Sequence, residues 1–206
     1  MSRKAGRNKE VTEKLLLESA AKEFAAKGVD HAALRTMTQI VGLTTGAVYF
    51  LYGSKENLFN ILVQSVTEPC IAFVESRIKT ETTYMAKTYE QNEQDNYEEF
   101  TNFLKFYFEN KNKVYAVMKN RDQKIVKDFF NRVYSMFEEH YMTLVNNIAK
   151  VTPRTTPIDE YMVKWYARNQ IDSILEFLNQ DFTVDEALQH ARPFVKVMEK
   201  GFLGLL

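Results

Sequence analysis

One cysteine, four prolines and seven glycines among 206 residues leave this chain short of the residues that staple or bend a polypeptide. Cys70 has no partner for an intrachain disulfide, so a reducing, cytoplasmic compartment is expected. So few turn formers argue against many short strands and in favour of helices. No run of about 18 consecutive apolar residues occurs, so no membrane span is expected. Met1-Ser2-Arg3-Lys4 leads into polar sequence without the apolar segment of a secretory signal. Catalytic signatures are missing as well: there is no P-loop, GxGxxG, GxSxG or HExxH. His31, His140 and His190 are too scattered to suggest a metal site. The chain therefore offers no catalytic residue, no metal ligand and no cofactor motif, and a non-enzymatic function is expected.

A net charge of either sign is lacking too, but the zero is uneven. Residues 1–55 hold nine Lys/Arg against five Asp/Glu, and the remainder is acidic by the same margin. A basic first quarter on an acidic body fits a nucleic-acid-binding end joined to a part that avoids DNA. What is abundant is apolar material, 45% of the residues, with 13% aromatic. That is enough for a sizeable helical core.

The stretch Leu34–Phe59 organises the rest. Two short apolar-periodic segments flank Gly42, with Met37, Val41, Leu43, Val48 and Leu51 as the seam between them. Glycine alone takes a positive φ without a Cβ penalty, so Gly42 marks a sharp turn. Two short helices, such a turn and a small seam are the pattern of a helix-turn-helix, whose second helix enters the DNA major groove by its N-terminal end. Thr44 is placed to cap that helix, ahead of Thr45, Gly46 and Ala47, whose small side chains allow close approach to base edges. Thr and Ala methyls can meet the thymine methyl, and hydroxyls can bond bases or phosphates. Tyr49 and Tyr52 can reach phosphates, while Tyr49 and Phe50 have packing on the neighbouring helices as their alternative. Arg35 and Thr36, at the start of the preceding helix, are further DNA-contact candidates, and Ala32 and Ala33 before them supply no side-chain cap. Ser54 caps the following helix and sets Lys55 at its N-terminus, a poor place for a cation unless an anion such as a phosphate waits there. Arg3, Lys4 and Arg7 fit either a solvated tail or an arm along the DNA backbone.

Over Leu17–Phe59 the sequence resembles the DNA-binding domain of the tetracycline-repressor (TetR) family. The matching pieces are AAKEFAAKGVDHAALRTMTQIVGLTTGAVYFLYGSKENLF, with both turn glycines and the terminal SKENLF in register. The resemblance covers about a quarter of the chain. It implies an all-α homodimer with a three-helix DNA-binding domain, here residues 1–58. A larger helical domain, residues 59–206, would dimerise and bind a small-molecule inducer. The chain departs from the family where Ala33 replaces Ser or Thr, where Thr45 replaces a frequent Lys, and where Phe50 stands in place of His in the aromatic run.

Beyond Phe59 a helical pattern continues past Pro69, which should bend or break it. Residues 80–97 are polar and read as a connection. Residues 124–149 carry apolar stripes on nearly two sides and should form the central helix of a bundle. Tyr161–Leu178 and Val184–Leu203 make the last two helices, with Pro193 implying a kink or a late start. Phe103, Tyr107, Met118, Phe129, Tyr134, His140, Trp165 and Asn169 are the candidates to line a mostly apolar ligand cavity, although such stripes are first of all core. His140 more readily reads as a satisfied core histidine. The expected function is a DNA-binding regulator, a repressor released from a palindromic operator by a small, largely apolar ligand. Control by a protein partner, or a small helical enzyme or carrier, are the alternatives from other classes.

Overall fold

The computed structural model describes residues 2–85, 93–151, 157 and 159–204, with the side chains at 2–9, 81–85, 93, 151 and 203 outside that set. Its elements, among the described residues, are all helices. They are α1 (Ser2–His31), α2 (Leu34–Ile40), α3 (Thr45–Tyr52), α4 (Lys55–Met85), α5 (Glu93–Glu109), α6 (Lys111–Lys119), α7 (Lys124–Val151), α8 (Glu160–Asn179) and α9 (Val184–Leu203).

The helices form two compact units. The first takes residues 1–70 and 110–129, the second 71–109 and 130–206. The expected boundary at 58/59 lies inside the first unit, because Leu58, Phe59, Leu62, Val63 and Val66 on the first half of α4 are all buried there. The Phe24 and Phe59 rings meet edge to face at 5.1 Å. Residues 110–129 also join this unit, since α6 packs along α1 and buries Ala116 and Val117. A helix there had no separate expectation.

α1 contains one break. Gly28 has φ 75° and ψ 165°, a backbone region open almost only to glycine. Such a break takes the Val29 N–H out of the helical ladder. Asn120, at the end of α6 and 3% exposed, spans the break. Its Oδ1 accepts from Val29 N at 2.8 Å, and its Nδ2 donates to the Phe24 and Ala116 carbonyls at 3.2 and 2.7 Å. One buried amide thus binds backbone on both sides of the bend that delivers the chain to α2.

In the second unit α5 packs on α9 around Phe100, Leu104, Ala187, Ala191 and Val195. A second cluster joins α7, α8 and α9 through Tyr141, Leu144, Val145, Ile148, Val163, Tyr166, Ala167 and Phe202. Both prolines expected to interrupt helices are carried inside them: α4 runs through Pro69 and α9 through Pro193. α9 does not start late, because Thr183 and Glu186 form a capping box at its beginning. The polar connection expected over 80–97 is helical up to Met85 and again from Glu93, with 86–92 outside the described residues.

By length and composition α4 could cross a bilayer, with mean hydropathy reaching 1.2 over Lys55–Thr80. No continuous apolar run announces this, because Asn60, Gln64 and Ser65 interrupt the sequence. The apolar side chains of its first half are consumed by the first unit's core.

Candidate nucleic-acid interface and ligand site

α2 and α3 are joined by a turn in which Gly42 takes φ 68°. Val41 N bonds the Thr38 carbonyl at 3.2 Å and Leu43 N the same carbonyl at 3.0 Å, closing α2. Met37 and Val48 are fully buried and form the seam. Leu51, expected in that seam, is 45% exposed, because a helix of eight residues buries only one narrow stripe.

Ala33 gives α2 no side-chain cap. The compensation comes from α1: the Glu23 carboxylate accepts from Ala33 N at 3.1 Å and pairs with Lys27 at 2.8 Å. The hydrogen bond from Lys27 and that from Ala33 hold its pKa below the ordinary carboxylate value, against the opposing effect of burial. The sequence signal for this role was an acidic residue on the buried face of α1, one step before Phe24.

Thr44 caps α3, its Oγ1 accepting from Ala47 N at 3.1 Å. Thr44 and Gly46 are exposed, and Thr45 and Ala47 half-buried, so the N-terminal end of α3 is open on one side. Tyr49 and Phe50 follow on the outside, 55% and 88% exposed, so Phe50 does not pack on a neighbouring helix. Arg35 and Thr36 stand exposed on α2. Tyr52 is half-buried, and desolvation, followed by the charge of Glu13, raises the pKa of its hydroxyl.

Ser54 caps α4 by accepting from Asn57 N at 3.0 Å. Lys55 is not held only in solvent. Its Nζ donates to the carbonyls of Asp30 and Ala32, at 3.1 and 3.2 Å, and so ties the start of α4 to the end of α1. An ammonium carries three donors, so a third direction remains for a phosphate. Arg3, Lys4 and Arg7 belong to α1 by backbone, and their side chains lie outside the described residues.

The eight residues expected around a ligand do not share one lining. Met118 and Phe129 belong to the first unit. Phe103 and Tyr107 lie with α5, where the Tyr107 hydroxyl donates to the Leu178 carbonyl at 2.8 Å. Tyr134 bonds Asp172 and lies beneath the Arg168 guanidinium, 5.4 Å from the ring centre. His140 is buried beside Tyr141. Trp165 is 48% exposed, and Asn169 donates back to the Trp165 carbonyl at 2.8 Å. A cavity of about 30 Å³ opens elsewhere in the second unit, between Arg77, Asn96, Tyr141, Tyr166, Gln170 and the C-terminal half of α9.

A capped, glycine-turned pair of short helices is seated on α1, in a chain whose second unit is a helical bundle. No protein-family model matches the sequence. Solved structures do match. PfmR of Thermus thermophilus, a TetR family transcriptional regulator, superimposes with a TM-score of 0.59 at 18% identity, over 89% of this chain and 92% of that one. Salmonella enterica GusR gives 0.59 at 16% identity over 95% of each chain. NalD of Pseudomonas aeruginosa, the secondary repressor of the MexAB-OprM multidrug efflux pump, gives 0.55 at 19% identity over 93% and 97%. The chain has the fold of TetR-family transcriptional regulators.

Proposed function

We propose that this protein is a cytoplasmic TetR-family regulator, a repressor that binds a palindromic double-stranded DNA operator as a homodimer and leaves it when a small molecule binds the second unit. The observation that carries the reading is the open N-terminal end of α3, capped by Thr44 and set on α2 by a left-handed Gly42. Thr44, Thr45, Gly46, Ala47, Tyr49 and Phe50 face the major groove. Arg35, Thr36, Tyr52 and the remaining donor of Lys55 meet phosphates. Dimerisation is assigned to α8 and α9, whose exposed Tyr161, Met162, Trp165 and Val197 exceed what a free helical surface needs to show. Two α3 helices related by a two-fold axis then sit about 34–36 Å apart, one turn of duplex.

Selection of bound duplexes from a random pool, followed by binding measurements across salt concentrations, tests this. A two-fold-symmetric site, bound with affinity that falls steeply as salt rises, is expected. Recovery of no common sequence, or a monomer by sedimentation at micromolar concentration, overturns it.

A further inference from the structure

Between the break at Gly28 and the start of α2 the chain makes one turn, closed by Ala32 N on the Gly28 carbonyl at 3.1 Å. Packing does little to set the direction of that turn. Its buried residues are Val29 and Ala32, whereas Asp30, His31 and Ala33 are exposed. Polar side chains from three helices grip its backbone instead. Asn120, at the end of α6, accepts from Val29 N at 2.8 Å, and Glu23 of α1 accepts from Ala33 N at 3.1 Å. Lys55 of α4 donates to the Asp30 and Ala32 carbonyls at 3.1 and 3.2 Å.

Asn120 differs from the other two because it bonds both sides of the break. Its Nδ2 donates to the Phe24 carbonyl at 3.2 Å, on the straight part of α1, while its Oδ1 takes Val29 N on the turn. A carboxamide is planar, with donor and acceptor at a fixed separation, so the two bonds together constrain an angle that one bond leaves free. Glycine supplies the conformation at this point. A Cβ at position 28 would meet Asn120 Oδ1 at an ordinary 3.4 Å, so the φ of 75°, and not lack of space, is what excludes one.

We propose that Asn120 is a positioning residue for DNA readout, setting the angle at which the chain leaves α1 and hence the orientation of α2 and α3. The role rests on the regulator reading above and adds a residue outside the helix-turn-helix that the DNA need not touch. α3 follows α2, because the Gly42 turn and the Met37 and Val48 seam join them. α2 has seven residues and is about 10 Å long, so a rotation of about 10° at its start moves its far end by roughly 2 Å. Hydrogen bonds to base edges form over a span of only about 0.5 Å. Attraction to phosphates is longer in range and tolerates such a shift. Loss of Asn120 therefore weakens specific binding more than non-specific binding.

Wild type, Asn120→Ala, Gly28→Ala and Val126→Ala are compared at a temperature where circular dichroism shows each one folded. Val126 is fully buried on α7, which supplies none of the bonds above, so its truncation lowers stability and removes no tie to the turn. Affinity for the selected operator should fall about tenfold or more in Asn120→Ala and Gly28→Ala, the cost of a lost base contact. Affinity for a random duplex should stay within about twofold, and Val126→Ala should match wild type on both. Hydrogen exchange over residues 29–40 should quicken in the first two variants and not in the third. Gly28→Ala carries the same comparison if Asn120→Ala does not fold. Operator affinity within about twofold of wild type, an equal loss on random duplex, or the same loss in Val126→Ala overturns the proposal alone. A wild type that selects no duplex overturns the regulator reading, and this role with it.

Discussion

Replacing Asn120 with Ala removes a single small side chain, yet the structure makes it one of the most damaging changes available in the first unit. Three backbone groups depend on that amide: Val29 N–H, the Phe24 carbonyl and the Ala116 carbonyl. The first is taken out of the helical ladder by the break at Gly28, and the second receives the amide's Nδ2 across it. The third loses its ordinary helical partner because Asn120 N turns to the Val117 carbonyl instead. Each unsatisfied buried group costs about 1–3 kcal/mol. Taking the low end, because water can enter the vacated space, gives a loss of roughly 3 kcal/mol. For a chain of this size that lowers Tm by about 6–12 °C. Asn120→Asp separates hydrogen bonding from volume. The aspartate still accepts from Val29 but turns a second oxygen toward two carbonyls, so its folded-state pKa is raised. The folded form then binds a proton more readily than the unfolded form, and the variant should gain stability relative to wild type as pH falls. Thermal unfolding of the three proteins at neutral and mildly acidic pH is the assay. An Ala variant within about 1 kcal/mol of wild type, or an Asp variant that worsens in acid, would refute the reasoning.

Three further outcomes are expected. α3 carries no charged, Asn or Gln side chain, so it has no bidentate base contact to make, and its readout should rest on hydroxyls and thymine methyls. Replacing a contacted thymine by deoxyuridine in the selected operator should cost about 0.8 kcal/mol, roughly fourfold in affinity; equal binding at every position denies methyl readout. Lys55→Met should lower Tm by loosening α4 from the end of α1, and should reduce the salt slope of DNA binding by about one unit if its remaining donor meets a phosphate; a lower Tm with an unchanged slope leaves Lys55 as a staple alone. Glu23 has a depressed pKa, so the stability it confers is full above its ordinary value of 4.5 and lost as pH falls through the depressed one. The stability gap between wild type and Glu23→Gln should shrink on acidification, and a gap that stays constant to pH about 3 contradicts the pairing with Lys27.

Much of the helix-turn-helix end was legible because its signals are local. A cap at Thr44, a turn at Gly42 and a cap at Ser54 are each decided within a few residues. Leu51 misled because periodicity says which residues are apolar, not how many of them a short helix can bury. Ala33 looked like a missing cap, and within its own segment it is one. The Glu23 carboxylate that makes good the loss stands ten residues earlier on another helix. Lys55 read as a cation awaiting an anion, whereas two carbonyls at the end of α1 already serve it from 23 and 25 positions away. Asn120 reaches across 91 residues to Val29, and no window on the sequence joins them.

The second unit shows the same limit from the other side. Aromatic abundance was taken as the sign of a cavity, but aromatic rings fill space as readily as they line it. Phe100, Phe177 and Phe194 pack on one another with ring centres 4.9–5.5 Å apart, and Tyr107 spends its hydroxyl on a main-chain carbonyl. An aromatic residue loses little by being packed solid, so its presence carries no information about empty space. A buried amide is different. Its polar atoms need a partner or water, so it is kept where the packing leaves an opening. On α8 that residue is Gln170, one position beyond the half-buried Asn169 that sequence reasoning chose, and on a helix one position turns a side chain by about 100°.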